Sequence, residues 1–326
     1  MFIKDKIHLP ALPTAWNRLS SKELEEVHRL IALRDRELMT MSKAEATRKF
    51  KLRAFMLFLN LKVRQKTIEE NGETYFLFRR RGIRHLFETI PFKAWQVSQW
   101  IDGSLDFLDK LEERTVAPYQ FIRLFGKRFK APSDLLTSLT YEQYSLAQNL
   151  ISKYWDSVGV INFLRERGRK AQAIRMAERK SVKVQCQLLA VLFNVASRQT
   201  EVRTEFSTRK VSRKVWSYDS RQINNWKYFR FAYKRIFPVM LQYFLSVQVY
   251  YSNIYPELFT NKGGSGKKAN NYLIMEVDSM NQIMKYSGFS NYQDIYNSHA
   301  VFILGVLNDM NKYARSIEEM NARFKK

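Results

Sequence analysis

Residues Ser20–Leu38, SSKELEEVHRLIALRDREL, carry the signals that decide the fold of this chain. Ser20 precedes Glu23 by three residues, the spacing at which the two side chains satisfy each other's backbone donors in a capping box. The apolar residues that follow recur mostly every three or four positions, as one face of an amphipathic helix requires. They are Leu24, Val27, Leu30, Ile31 and Leu33. The stretch therefore predicts a helix from about Ser21 to Leu38 and indicates a mainly α-helical protein.

Similar signals recur further along the chain. Ser42 and Glu45 repeat the capping spacing and predict a second helix that runs toward Leu61. Pro118 and Pro132 bracket a segment that we interpret as a short basic helix. A later helix is predicted from an apolar stripe formed by Tyr144, Ala147, Leu150, Ile151 and Tyr154.

One segment changes from helical to strand periodicity. Residues 62–78 lie on either side of the turn pair Asn71-Gly72, which is typical of a type I′ turn. They predict a single β-hairpin inserted in the helical body. A small helical extension is expected at the C-terminus, because Ile274, Val277, Met280 and Ile283 have helical spacing.

The same signals predict the organisation of the chain into parts. The expected parts are an N-terminal helical unit at 1–159 with the hairpin at 62–79, a basic helical unit at 160–260, a Gly-rich linker at 261–271 and a helical extension at 272–326.

The formal net charge of +24 is concentrated in two blocks. Residues 160–235 contain nineteen Lys or Arg and five Asp or Glu, and residues 43–93 contain thirteen and five. Residues 269–326 contain six of each. Clustered positive charge is typical of a surface that binds nucleic acid, an acidic protein or anionic lipid, and it says little about the fold.

The residue types that usually carry catalysis or bind metals are few and scattered. Cys186 is the single cysteine, so an internal disulfide is excluded. The four histidines lie far apart, and none has a second ligand at metal-binding spacing. Residues 261–268, NKGGSGKK, lack the first glycine and the final hydroxyl of a phosphate-binding loop. The sequence therefore predicts no catalytic residue, no metal and no cofactor, and we expect a protein that is not an enzyme.

Basic and aromatic residues alternate within the block at 160–235, and two interpretations stay open. Cations beside exposed aromatics neutralise phosphates and stack bases in surfaces that bind single strands. Alternatively, the helical spacing of Trp226, Phe229, Tyr233 and Phe237 suits a core face whose cations are in water. The candidate residues for binding nucleic acid or an acidic partner are Arg165, Arg167, Arg169, Lys170, Arg175, Arg179, Lys180, Arg209, Lys210, Arg213, Lys214 and Arg221.

Two short phrases give the chain a resemblance to a loosely defined group of tailed-phage morphogenesis proteins. Residues 12–20, LPTAWNRLS, resemble the extended entry of these proteins, and residues 136–144, LTSLTYEQY, resemble the start of a later helix. With the hairpin between them, the resemblance in layout covers about two-thirds of the chain.

Within that group the chain is similar to tail assembly chaperones, in which a linker joins a helical domain to a smaller extension that binds the tape-measure protein. The resemblance implies a tape-measure or other phage structural protein as partner. It also implies action in the host cytoplasm during assembly or in the virion, and an extension that is reached by translational frameshifting. The strongly basic body departs from the pattern of that family.

The leading hypothesis is a non-enzymatic phage virion assembly or structural protein that acts through protein–protein contacts. The alternative is a protein that binds single-stranded DNA or RNA through residues 160–235, and binding to a membrane surface ranks third. An integral membrane protein is not expected, because polar residues and Pro238 interrupt the longest apolar region, 236–259. Candidate partner anchors are Trp216 and Trp226, and also Trp16, Trp95 and Trp100, since interfaces concentrate binding energy in tryptophan.

Overall fold

The structure is a computed structural model, and it describes residues 11–70, 72–80, 89–109, 114–195, 197–199, 202–204, 207–209, 213–215, 220–259 and 272–324. Helices dominate these residues, which confirms the mainly α fold. No helix in these ranges is both long and apolar enough to cross a bilayer.

The chain divides into two compact units, Met1–Arg114 and Thr115–Lys326. The sequence instead predicts a boundary between residues 159 and 160. That position lies within a continuous helix, Tyr141–Glu166, because Gly159 does not interrupt the helix. The predicted linker at 261–271 lies outside the described residues.

The described residues of the first unit form three helices and a three-stranded sheet. Its elements are a 3-10 turn at Trp16–Arg18, α1 at Ser21–Glu37, α2 at Lys43–Phe58, β1 at Leu61–Glu70, β2 at Glu73–Arg80, β3 at Thr89–Lys93, α3 at Ala94–Gln99, a π-helical turn at Trp100–Ser104 and a 3-10 turn at Asp106–Asp109. The strands pair antiparallel in the order β1–β2–β3.

Local signals start these elements at the positions that the sequence predicts. The backbone N–H of Ser20 donates to Glu23 Oε2 (2.8 Å), and the Glu23 N–H donates to Ser20 Oγ (3.3 Å), which completes the capping box of α1. Ser42 caps α2 through one hydrogen bond, because its Oγ accepts from the N–H of Glu45 at 3.3 Å. The hairpin β1–β2 turns at Gly72, whose φ of 75° lies in the left-handed region that glycine adopts without strain; Asn71 lies outside the described residues.

The core of the first unit is aromatic. Phe55 of α2 contacts Phe78 of β2, Phe92 of β3 and Trp100, with ring centroids 5.7 to 6.1 Å apart. Trp16 is fully buried, and its indole Nε1 donates to the carbonyl oxygen of Phe107 at 2.8 Å. Trp16 and Trp100 therefore stabilise the core, and of the three tryptophans that the sequence proposes as anchors in this unit only Trp95 is exposed.

The second unit is built from two long helices that pack on a third. Its elements are β4 at Phe121–Leu124, β5 at Lys127–Lys130, a 3-10 turn at Asp134–Leu136, α4 at Tyr141–Glu166, α5 at Ala171–Leu192, β6 at Asn194–Val195, β7 at Ser197–Gln199, β8 at Val202–Thr204, β9 at Ser207–Arg209, β10 at Arg213–Val215, a 3-10 turn at Ser220–Asn225, α6 at Trp226–Phe229, α7 at Tyr233–Ile254, α8 at Pro256–Phe259, α9 at Tyr272–Ser287, α10 at Tyr292–Asn297 and α11 at Ala300–Phe324.

Two short regions of this unit differ from the prediction. Residues 118–132 contain the antiparallel hairpin β4–β5 rather than a basic helix, since Gly126 adopts a φ of 75° and reverses the chain. The inserted hairpin β1–β2 is therefore one of several. The strands β7 and β10 pair with each other, as do β8 and β9, within the segment 160–260 that the sequence predicts as a basic helical unit.

The core of the second unit lies between α4, the C-terminal half of α5, and α7. Tyr144 of α4 stacks on Phe244 of α7 at 5.5 Å, and burial raises the pKa of the Tyr144 hydroxyl to about 12. Gln143 Nε2 donates to the backbone carbonyl of Val191 (2.8 Å) and to Asn194 Oδ1 (2.9 Å), so this buried amide is satisfied.

The C-terminal helices belong to this same unit. The N–H of Tyr141 donates to the carbonyl of Ser298 (2.8 Å), and the N–H of Ala300 donates to the carbonyl of Leu139 (2.9 Å). Ile283, Ile295 and Ile303 form a fully buried cluster between α9, α10 and α11. The extension is thus hydrogen-bonded to the residues that start α4.

Candidate nucleic-acid interface

Helices α4 and α5 form an antiparallel helical hairpin whose outer part carries most of the predicted binding residues. The turn between them is closed by Gly168, with a φ of 58°, whose N–H donates to the carbonyl of Arg165 at 3.1 Å. We define the arm as residues 152–183. On α4 it covers fifteen residues, a length of about 22 Å.

The arm is much more exposed than the ends of the two helices that enter the core. Between Ile151 and Ser181, which are both buried, Ile161 alone is classed as buried. About half of the surface is exposed for each of four apolar side chains of the arm, Trp155, Val160, Phe163 and Met176. The arm therefore extends beyond the hydrophobic core of the second unit and presents its side chains to solvent.

The arm is strongly basic. Residues 160–183 contain eight Lys or Arg and two Glu. Arg165 forms the one ion pair of the arm within the described residues, with Glu178 of α5 at 2.8 Å, and this pair joins the two helices. Arg167 lies over the ring of Phe163, 5.2 Å from its centroid. The other cations of the arm have no carboxylate partner in the described part of the chain, so their charge is available to a polyanion.

The structure brings together most of the predicted residues and separates or omits the others. Those that the arm holds are Arg165, Arg167, Arg169, Lys170, Arg175, Arg179 and Lys180. Arg221 lies in the 3-10 turn that contacts α5, and Arg209, Arg213 and Lys214 lie in the short strands β9 and β10. Lys210 and Trp216 lie outside the described residues.

Trp226, the second predicted anchor, is partly buried at the base of the arm. The ammonium group of Lys183 lies 5.7 Å from the centroid of its ring.

The single cysteine, Cys186, lies in the buried half of α5, near Arg230. Burial raises the pKa of the Cys186 thiol to about 11, and the positive charge of Arg230 offsets part of that increase. This thiol is therefore protonated and hidden at neutral pH. No group of three or more His, Cys, Asp or Glu in the described ranges is placed to hold a metal ion.

A second basic and aromatic surface escapes the sequence analysis. It consists of Phe125 at the tip of the β4–β5 hairpin, Tyr228 of α6, and Phe231 from the segment that joins α6 to α7. We call these three rings the platform. Phe125 lies 5.4 Å from Phe231 and 6.5 Å from Tyr228, between ring centroids. About one hundred residues separate the two segments, and the hairpin is predicted as a helix, so sequence spacing alone does not place the rings together.

Comparisons of the chain with protein-family models, with curated proteins and with solved structures gave no match. The function is therefore argued from the geometry of the arm and the platform.

Proposed function

We propose that this protein binds nucleic acid through the arm and performs no chemistry of its own. The observation that supports this proposal is the set of exposed cations on two adjacent helix segments, of which Arg165 alone has a carboxylate partner among the described residues. If the arm were part of the core, its side chains would be buried. If its charges served only solubility, we would expect Lys and Arg to be interspersed with Asp and Glu.

The expected mode of binding is neutralisation of backbone phosphates. Arg175 and Arg179 are four residues apart on α5 and lie on one face of the helix, and Lys180 follows directly. Arg167 and Arg169 lie in the turn at the end of the arm. A surface of about 22 Å matches about six base-pair steps of a duplex, so several phosphates reach these cations at once. Such contacts carry no sequence information.

The proposal is tested by removing charge from the arm and, separately, the same charge from the first unit. The arm variant replaces Arg167, Arg169, Arg175 and Arg179 by Gln. The control variant replaces four exposed cations of the first unit, Lys22, Lys43, Arg48 and Lys62, by Gln.

Binding is measured by fluorescence anisotropy with labelled 20-nucleotide single strands and 20-base-pair duplexes over a series of salt concentrations. We expect the slope of log affinity against log salt to become shallower by about 3 in the arm variant, because each lost phosphate contact removes about 0.7 to 0.9 from the slope. The control should keep the slope of the wild type. Equal slopes in all three proteins would contradict the proposal.

A second candidate function is non-enzymatic virion assembly, with a tape-measure or other phage structural protein as partner. The observation that favours it is the last part of α11, where Tyr313 and Met320 are exposed on a helix that leaves the buried cluster around Ile303. Exposed aromatic and Met side chains are enriched in the centres of protein interfaces.

Point substitutions test the second candidate better than truncation, because deletion of the extension would break its hydrogen bonds to Leu139 and Tyr141. The variant Tyr313→Ala/Met320→Ala should elute separately from a candidate tape-measure protein that co-elutes with the wild type. Co-elution of both proteins would contradict this role for α11.

A further inference from the structure

The platform combines two of the most exposed phenylalanine rings of the described chain. Phe125 is 65% exposed and Phe231 is 80% exposed. Their ring planes meet at 68°, so the two rings form an edge-to-face corner that is open to solvent. A single exposed Phe needs no explanation, but two rings brought together on the surface from distant segments form a defined apolar surface.

The backbone at Phe125 is unfavourable for the residue that occupies it. Leu124 and Lys127 are paired, so Phe125 and Gly126 form a two-residue turn, and both have positive φ, 49° and 75°. Such turns favour Asn, Asp or Gly at both central positions, since a bulky side chain is strained in the left-handed region. The chain therefore places a large ring at the hairpin tip against the local preference, and backbone strain of this kind clusters at functional sites.

The rings stand on a rigid support. Phe129 of β5 is fully buried and contacts Phe229 and Tyr228, with centroids 5.1 and 5.9 Å apart. Strand β5 also pairs with β6, through Phe129 and Val195. Because both sides of the platform are anchored in the core, its geometry exists before any ligand binds, and binding orders few side chains.

The surroundings of the platform are positively charged. Lys127 Nζ lies 4.4 Å from the centroid of the Tyr228 ring, and the Arg128 guanidinium lies 3.6 Å from the centroid of Phe121. Residues 115–133 and 220–256 of the second unit, which supply the platform, contain nine Lys or Arg and no Asp or Glu. Apolar rings within a field of one sign favour a ligand that combines flat apolar faces with negative charge.

We propose that the platform binds unpaired nucleotides, with bases stacked on Phe125 and Phe231 and the adjacent phosphate neutralised by Lys127. In a duplex the faces of the bases are covered by their neighbours, whereas an unpaired base presents a free face to an aromatic ring. The inference rests on the proposed binding of nucleic acid but concerns a different surface from the arm, and it assigns a preference for single strands.

Helix α6 connects the platform with the arm. Trp226, at its start, contacts Lys183 of the arm, and Tyr228, two residues later, contacts Phe125 and Lys127. A strand whose backbone lies on the arm therefore reaches the platform along α6. The arm contributes affinity through phosphate contacts, which single strands and duplexes both offer. The platform adds affinity through stacking on unpaired bases, which a duplex does not offer.

The test removes the rings without disturbing the turn. Phe125→Asn suits the positive φ of this position, and Phe231→Ala truncates a side chain that is mostly in water, so the double variant should fold. Phe125→Tyr/Phe231→Tyr keeps two aromatic faces. The matched control, Tyr286→Ala/Phe302→Ala, removes two comparably exposed rings elsewhere in the same unit. Thermal melts followed by circular dichroism check each protein.

Affinities are measured for a labelled 15-nucleotide oligothymidine, an abasic oligonucleotide of the same length and a 15-base-pair duplex. For Phe125→Asn/Phe231→Ala we expect a loss of about tenfold or more for oligothymidine and a change of less than about twofold for the abasic strand and the duplex. The tyrosine variant and the control should bind like the wild type.

Three results would overturn the inference while leaving the proposed function intact. An unchanged affinity for oligothymidine would show that the rings do not stack on bases. An equal loss for all three probes would show that the rings only position cations. Binding of the wild type to vesicles with 30% phosphatidylserine, lost in the ring variant while oligothymidine binding persists, would assign the platform to a membrane surface. If the wild type binds none of the oligonucleotides, the proposed function fails together with this inference.

Discussion

The two basic blocks of this chain are alike in sequence and differ in structure. In residues 43–93 several of the cations are paired: Lys49 with Glu45, Lys93 with Glu73, Arg53 with Glu37, and Lys51 with both Asp106 and Asp109. In the arm, Arg165 with Glu178 is the one such pair among the described residues. The first block thus pairs several of its cations within the molecule, while in the arm Arg165 alone is paired among the described residues.

The difference arises from carboxylates that a count along the sequence does not include. Glu37, Asp106 and Asp109 all lie outside the block that they neutralise. Net charge in a sequence window therefore overstates the positive surface when the fold brings distant carboxylates to it. It gives a fair estimate for the arm, because a projecting helical hairpin has few neighbours that could supply a counter-charge.

The aromatic residues follow the same division. Trp16 in the first unit is fully buried and hydrogen-bonded, whereas Trp155 and Phe163 on the arm are half exposed. Rings and cations in the first unit stabilise the fold, and those of the arm and platform are available for binding. Substitutions in each region should therefore separate stability from affinity.

The largest effect on stability is expected from Trp16→Ala. Removal of this buried ring and its hydrogen bond to Phe107 should lower the free energy of unfolding by about 3–5 kcal/mol, because it leaves a large cavity. Urea unfolding followed by circular dichroism measures the loss, and Trp16→Phe should recover much of it. Affinity for nucleic acid well below the melting temperature should be unchanged. A loss of affinity in folded protein would mean that the first unit contributes to binding.

The next largest effect is expected on the affinity for single strands, when carboxylates are added to the arm. It tests whether the two basic blocks differ because the cations of one are ion-paired and those of the other are not. Ala171→Glu and Met176→Glu place carboxylates four residues before Arg175 and Lys180, the spacing of a helical ion pair. Affinity for single strands at 50 mM salt should fall about tenfold, because the new carboxylates compete with phosphates for the cations. The control Ala44→Glu/Gln99→Glu adds the same charge to exposed sites of the first unit. An equal loss in both variants would attribute the effect to net charge alone.

A smaller effect is expected from Lys51→Met in the first block. The Lys51 side chain is 9% exposed and donates to Asp106 Oδ1 at 2.8 Å. Burial acts to lower the pKa of Lys51, but the hydrogen bonds to Asp106 and Asp109 outweigh burial and raise it above the ordinary value. Both carboxylates are well solvated, so the substitution should cost about 1 kcal/mol and leave affinity for nucleic acid unchanged.

The dependence on pH gives a second readout for Lys51. Since the pKa is raised in the folded state, the ion pairs add stability that is fully present below the unfolded pKa of about 10.4 and is lost as the pH rises through the folded value. Urea unfolding between pH 8 and pH 11 should therefore show the wild type approaching Lys51→Met at alkaline pH. Parallel curves over this range would contradict the assignment.

The smallest effect is expected from Glu178→Gln, which releases Arg165 on the arm. The pair is exposed on both sides, so the free energy of unfolding should change by less than about 0.5 kcal/mol. Affinity for nucleic acid should rise about twofold, because a competing carboxylate is removed and Arg165 becomes free. Anisotropy at low salt measures the change. A reduced affinity would instead show that the pair holds the two helices in the orientation that binding needs.

Much of the fold follows from local patterns. The capping boxes at Ser20 and Thr140 mark the starts of α1 and α4, and in the predicted apolar stripe of α4 the residues Tyr144, Ala147, Leu150 and Ile151 are buried. The hairpin at 118–132 shows where such patterns mislead. Its prolines and cations suggest a short basic helix between Pro118 and Pro132. The observed strand pairing depends instead on Phe129, which contacts Phe229 and pairs with Val195, both far along the chain.

The candidate site also has one part that the sequence predicts and one part that only the tertiary structure shows. Seven predicted cations lie together on the arm, because residues close in sequence on a helical hairpin are close in space. The platform and the unit boundary depend on contacts between distant segments. The virion assembly role and the resemblance to tail assembly chaperones stay predictions, which the variant of α11 tests.

The sequence by itself determined the positions of α1, α2 and α4, the turn at Gly72 and the two concentrations of positive charge. These depend on residues within a few positions of each other, through backbone hydrogen bonds, side-chain periodicity and simple counting. The tertiary structure alone decided which charges are neutralised and which rings meet. Ion pairs and ring contacts depend on distance in space, and the partners here, Lys51 with Asp106 and Phe125 with Phe231, are separated by 55 and about one hundred residues.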